Sequence, residues 1–180
     1  MRRILTALTI GLLTFASSAW AGGTVGGPVI QWNRIEGVIG ADLTAINVGP
    51  IVASTRWRTT GTGMARIDLS TGHLSFRLKG ASAAQNYPGT ALGAPSPAAG
   101  MVMMGTVVCN ATQRFGPIEW ADTPWLTSPG GGFSFQGFIN LPVSCREHPE
   151  GVVFLIRHPE TAPHYGAYNF YGAERTIHND

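Results

Sequence analysis

Polar and apolar positions alternate with a period of two, over short stretches, along most of this chain. Ala65, Ile67 and Leu69 alternate with Met64, Arg66 and Asp68. Beyond Thr71-Gly72, Leu74, Phe76 and Leu78 alternate with His73, Ser75, Arg77 and Lys79. Successive strand residues point to opposite faces, so each run predicts a half-buried strand and the two together predict a hairpin. A two-residue turn sets Leu69 opposite Leu74, Ile67 opposite Phe76 and Ala65 opposite Leu78, with all three pairs on one face. The same register puts Arg66 opposite Arg77 on the outer face, where like charges repel, with Asp68 diagonal to Arg77.

Further strands are expected over residues 31–39, 42–48, 101–110, 118–120, 133–141, 152–157 and 168–171. Residues 101–108 are apolar at nearly every position, as are 152–156, which predicts central strands covered on both faces. Phe133, Phe135, Ile139 and Leu141 share a face with Gly137, while Ser134, Gln136 and Asn140 point the other way. No segment beyond residue 21 shows the 3.6-residue period of a helix. The pattern predicts an all-β chain, an antiparallel β-sandwich of Ig-like or Greek-key kind, with a small β-barrel as the alternative.

The first 21 residues break this pattern. Arg2 and Arg3 precede an apolar run from Ile4 to Phe15, and Ala19-Trp20-Ala21 forms an A-x-A site before Gly22. That order of charge, apolar core and small residues is the signature of a cleaved secretory signal peptide. The apolar run is shorter than the roughly 20 residues of a membrane span. The expected division is a leader at 1–21, a glycine-rich flexible start at 22–28 and a single β domain at 29–180. Residues 80–100, rich in Ala, Gly, Pro and Ser, form a long loop; loops of this length are commonly functional or mobile. A second loop, 121–132, carries Pro124, Pro129 and several glycines.

Charge and cysteines narrow the function classes. The formal net charge of +2 comes from Arg2 and Arg3, so the mature part carries ten basic and ten acidic residues. A chain of zero net charge without a basic cluster is no nucleic-acid binder, and it lacks a polybasic membrane patch. No stable membrane span is expected after cleavage. Cys109 and Cys145 are the only cysteines. In an exported chain such a pair predicts a disulfide. Closing a loop of about 36 residues stabilises by about 4 kcal/mol in the chain-entropy model.

Part of the chain resembles a known family. The residues concerned are an early strand with Leu43, the segment Gly49-Pro50-Ile51-Val52, then Thr60-Gly61-Thr62-Gly63, then the Asp68-x-x-x-Gly72 hairpin running into Leu74-Ser75-Phe76. This stretch, 37–79, is similar to the opening of CHRD domains, β-sandwich modules common in secreted bacterial proteins. The resemblance implies a CHRD-like sandwich and covers about a quarter of the chain. CHRD domains carry a His-x-His element after this hairpin; here the corresponding stretch has no histidine, so no functional residue carries over.

Three constellations are candidates for chemistry. Trp120 and Trp125 flank Asp122 near Glu119, and flat rings beside carboxylates suit stacking on sugars or peptides. His158, Glu160 and His164 lie around a turn bracketed by Pro159 and Pro163 and would suit zinc or copper. The triplets His148-Pro149-Glu150 and His158-Pro159-Glu160 cannot share one ion, because six strand steps hold them about 20 Å apart. Met101, Met103 and Met104 are thioethers of the kind that select Cu(I), although they also suit core filling. Glu119 with Asp122 is the pair on which a glycosidase would draw. No G-x-S-x-G, H-E-x-x-H, P-loop or dinucleotide fingerprint occurs. The expectation is a secreted or periplasmic, non-catalytic β-sandwich with a binding or structural role, an unidentified extracytoplasmic partner and no cofactor. Trp120, Asp122 and Trp125 would be its ligand-binding residues. The alternatives are a metal-binding protein using His158, Glu160 and His164, and a hydrolase of an extracellular polymer.

Overall fold

The computed structural model describes residues 26–37, 48, 51, 57–59, 62–83, 102–128, 130–157 and 168–179. In chain order these form β1 (Pro28–Gly37), β2 (Trp57–Thr59), β3 (Gly63–Asp68), β4 (His73–Leu78), β5 (Ala81–Ala83), β6 (Val102–Cys109), β7 (Glu119–Asp122), β8 (Leu126–Thr127), β9 (Phe133–Phe138), α1 (Val143–Glu147), β10 (Val153–Arg157) and β11 (Tyr168–Asn179). The fold is all-β and antiparallel. Nine strands make one sheet in the order β7-β6-β10-β11-β1-β3-β4-β9, with β8 paired to the start of β6; β2 and β5 form a separate pair.

This sheet curls back on itself as a half-barrel. Phe76 of β4 lies against Gly105 of β6, far away in the strand order, and a Cβ on Gly105 would stand 2.4 Å from the Phe76 ring. From there aromatic rings line the interior. Phe76 is 5.1 Å from Phe154 of β10 and 6.2 Å from Phe135 of β9, and Phe154 is 5.7 Å from Trp32 of β1. Two halves of the sheet thus pack face to face as in a sandwich, while the ladder between them stays continuous as in a barrel.

Strand β6 is buried on both sides, as its unbroken apolar run predicts. Met103, Val107 and Cys109 face the interior, while Val108 belongs to a second cluster with Leu155, Val48 and Ile51 on the outer side. Val48 and Ile51 exchange both backbone hydrogen bonds, at 3.0 and 3.1 Å. At the end of β6, Cys109 is disulfide-bonded to Cys145 of α1, with both residues fully buried.

The β3–β4 hairpin forms where expected but two residues out of the expected register. Ile67 pairs with Leu74, Ala65 with Phe76 and Gly63 with Leu78. The connection has four residues, 69–72, because Asp68 organises it. Its Oδ1 accepts hydrogen bonds from the Ser70 N–H (2.8 Å), the Ser70 hydroxyl (2.6 Å) and the Thr71 N–H (3.2 Å). The Gly72 N–H donates to the Asp68 carbonyl at 2.8 Å, and Gly72 sits at φ +76° with the Ile139 carbonyl 2.4 Å from where a Cβ would be. Only glycine meets both demands. A shift of two keeps every side chain on its face. It sets Arg66 opposite Ser75 and Arg77 opposite Met64, so the arginines are diagonal and not directly opposed.

Other boundaries also move. Pro28 opens β1 and does not belong to a flexible start, and Leu69 donates to its carbonyl at 3.0 Å. Residues 81–83 of the expected long loop are strand β5, paired to β2. Strand β11 runs on to Asn179, because β1 offers a ladder from Gly37 to Pro28 along its whole length, whatever its side chains. Helix α1 spans five residues, too few to show a helical period. The leader 1–21, the rest of the start at 22–25, the 42–47 part of an expected strand and residues 84–100 lie outside the described residues.

Two outcomes follow for stability. Replacing Cys145 by Ser is expected to remove about 4 kcal/mol of unfolding free energy, read as the urea midpoint of the variant against the oxidised protein. For Asp68, burial works to raise the carboxyl. The hydrogen bonds from the side chains of Ser70 and Thr71 and from their backbone N–H groups outweigh this and hold it below its ordinary 3.8. A depressed carboxyl stabilises the fold above its unfolded value and loses that contribution as pH falls through the folded value. The melting-temperature gap between the protein and Asp68→Asn is therefore expected at neutral pH and to close in acid below 3.8.

Candidate functional site

The outer face of β1, β3, β4 and β9 carries rows of side chains set by the ladder, one of which ends in His73 beside the exposed Phe138. Gln31, Arg66, Ser75 and Gln136 stand side by side, one from each strand. Met64, Arg77 and Ser134 form the neighbouring row on β3, β4 and β9. Together they line a shallow groove of about 580 Å3, floored by Ala65, Phe76 and Phe135. These three belong to or pack on the interior cluster, so the same strands fill the core with one set of residues and present the other set outward.

The groove is cationic. Arg66 and Arg77 are exposed, and no carboxylate lies within ion-pairing distance of either among the described residues. Asp68 would be their natural neighbour on the same face, but its carboxylate is turned into the hairpin loop. Lys79 extends the exposed basic side of β4 by one more position. Beside Arg66, the Gln31 amide donates to the Asn33 side chain at 2.6 Å. The polar lining consists of guanidinium, amide and hydroxyl groups, with no carboxylate, imidazole or amine.

The residues expected to bind a ligand are elsewhere and do not form a free site. Trp120 and Asp122 both lie on the outer side of β7, where Trp120 is half-buried against the second cluster. The Asp122 carboxylate is taken up by Arg157, whose Nη2 donates to both of its oxygens at 2.7 Å. Thr106 completes the cluster: its hydroxyl donates to Asp122 at 2.6 Å and accepts from Arg157 Nε at 2.8 Å. Arg157 is buried, so this ion pair fixes β7 and β10 to β6 from outside the barrel. Trp125, half exposed between β7 and β8, is the one member of the trio with a large open ring surface.

Glu119 and Asp122 are three residues apart on β7, so strand alternation sends them to opposite faces. Glu119 instead accepts a hydrogen bond from the Ser144 hydroxyl of α1 at 2.5 Å. His158, Glu160 and His164 lie outside the described residues. Among those described, no three His, Cys, Asp or Glu side chains are gathered in a group that could hold a metal ion. Met103 fills the interior, and Met104, on the opposite face, accepts a contact from Arg157 at its sulfur. Asn110, the first residue of an Asn-x-Thr sequon, is buried at φ +51° and organises its own loop. Its amide donates to the Gly116 and Pro117 carbonyls and its oxygen accepts from the Phe115 N–H.

No family model, curated protein or solved structure matches this chain. The reading of the site therefore rests on its own geometry. Sequence contained half of the groove: the outward residues of the hairpin were legible from alternation. What it lacked was the placement of β1 and β9 on either side of that hairpin.

The Arg157 cluster yields an asymmetric outcome. Asp122→Ala removes the carboxylate from a buried guanidinium and is expected to cost about 3 kcal/mol. Arg157→Met leaves a carboxylate that already touches water and is expected to cost less. Chemical denaturation of the two variants side by side measures the difference.

Proposed function

We propose that this chain is an exported, non-catalytic β domain that binds a ligand along the groove over β1, β3, β4 and β9. The observation that carries the reading is the groove's lining. Its amides and hydroxyls both donate and accept hydrogen bonds, its guanidinium groups add positive charge, and its serines have no general base among the lining residues to activate them. Such a set holds a molecule in place and offers no group to move its protons or attack it.

Export is supported by the charged, apolar and A-x-A segments of residues 1–21. The buried Cys109–Cys145 pair agrees with it, since such bonds persist in oxidising compartments. Among the described residues no helix is long and apolar enough to cross a membrane. The resemblance of 37–79 to CHRD domains adds a secreted β-module as a parallel. The reading assigns the mature chain to the periplasm or the extracellular medium.

Two measurements test it together. Mass spectrometry of the chain recovered outside the cytoplasm is expected to find Gly22 as the first residue. NMR titration against a panel of acidic, basic and neutral oligosaccharides and peptides is expected to shift Gln31, Arg66, Ser75, Arg77 and Gln136 with at least one class. Shifts centred on Trp120 and Trp125, or none with any class, would contradict the groove as the binding face.

A further inference from the structure

We infer that the ligand of this groove is an acidic polysaccharide, a sugar chain bearing carboxylates, held by Arg66 and Arg77. The inference rests on the groove being the binding face and goes on to name what it binds. Three observations carry it.

First, the two cations are left open. Arg66 and Arg77 stand diagonally on adjacent strands, positions about 7–8 Å apart in a regular ladder. The one acidic side chain on this side of the hairpin, Asp68, has its carboxylate occupied by Ser70 and Thr71. A guanidinium presents a planar fork that matches a carboxylate with two parallel hydrogen bonds. A chain with repeating carboxylates meets both forks at once.

Second, the two strands that carry the arginines offer no free backbone. Peptides are recognised on sheets by adding a strand at an edge or by filling apolar pockets. Here β3 and β4 are each paired on both sides, so their N–H and C=O groups are already engaged in the ladder. The outward lining is polar apart from Met64. The sheet's nearer open edge is on β9, on the side away from β4, so an acidic peptide added there would lie away from both arginines.

Third, the lining suits hydroxyls, and the exposed ring on this face, Phe138, lies one row beyond it, opposite His73. Gln31, Gln136, Ser75 and Ser134 can each donate to and accept from a sugar hydroxyl. The rings beneath the groove, Phe76 and Phe135, belong to the inward set, and Phe76 is buried. A neutral sugar chain over the lining would rely on hydrogen bonds that compete with water and on the Phe138 ring at one end. The two guanidinium groups add a charge attraction that only an acidic one gains.

The experiment is calorimetric titration of the mature chain with short oligogalacturonates, with dextran oligomers and polyglutamate as comparison probes. Arg66→Gln, Arg77→Gln and the double variant are titrated in parallel. Both arginines are exposed, so folding is expected to survive, and circular dichroism checks this. Oligogalacturonate is expected to bind and dextran and polyglutamate to fail, with Kd raised about tenfold by either single substitution and by more in the double variant. Binding is also expected to weaken with added salt. Polyglutamate or dextran binding as tightly as oligogalacturonate, at the groove residues, would overturn the acidic-sugar inference while leaving the groove as the binding face. Oligogalacturonate binding unchanged in the double variant would overturn it as well. No binding by any of the three probes would overturn the inference and count against the groove itself.

Discussion

The contact between the Phe76 ring and the backbone of Gly105 is the constraint on which the rest of this fold depends. The sheet is a single ladder, and nothing in a ladder alone makes it curl. What bends it is burial: β4 and β6 each carry an apolar face that water excludes, and each covers the other's. The ring fits because residue 105 has no side chain. Phe154, Trp32 and Phe135 then extend the aromatic packing from this point to β10, β1 and β9. Such ring pairs add stabilisation beyond the area they bury. Aromatic rings from β1, β4, β9 and β10 thus occupy the interior, and the groove lies on its outside.

A second constraint, local and polar, sets the character of that outside. Asp68 ties the hairpin loop with its carboxylate, and this one choice has two consequences. The loop gains two residues, which moves the arginines from direct opposition to a diagonal. The nearest carboxylate on their face is turned away into the loop. The positive groove is therefore a by-product of how the hairpin turns. At the other end of the strand order, on the same outer face, the reverse has happened: Asp122 and Arg157, 35 residues apart in sequence, neutralise each other.

The sequence was informative wherever a property is local. Alternation gave the faces of β3, β4 and β9, and the unbroken apolar run of β6 announced its burial on both sides. Two cysteines behind an expected leader predicted their own bond. Register was misread because it depends on the residue count of a turn, and Thr71-Gly72 suggested two where Asp68 imposes four. The length of β11 was missed because its pairing comes from β1, far away in the chain. Asp122 looked like a free carboxylate between tryptophans for the same reason: its partner is contributed by β10. The groove needs four strands from three separate stretches of sequence, and only the hairpin's contribution could be read in advance.

The most direct measurement of this account is the solution NMR contact between Phe76 and Gly105. A curled sheet predicts strong nuclear Overhauser effects from the Phe76 ring to the Gly105 α protons, together with effects from the same ring to Phe154. An open sheet, or one that folds between other strands, would show the ladder contacts of β3 with β4 intact and no effect between Phe76 and Gly105. That result would contradict the closed interior and remove the reason for placing the arginines on an outer face.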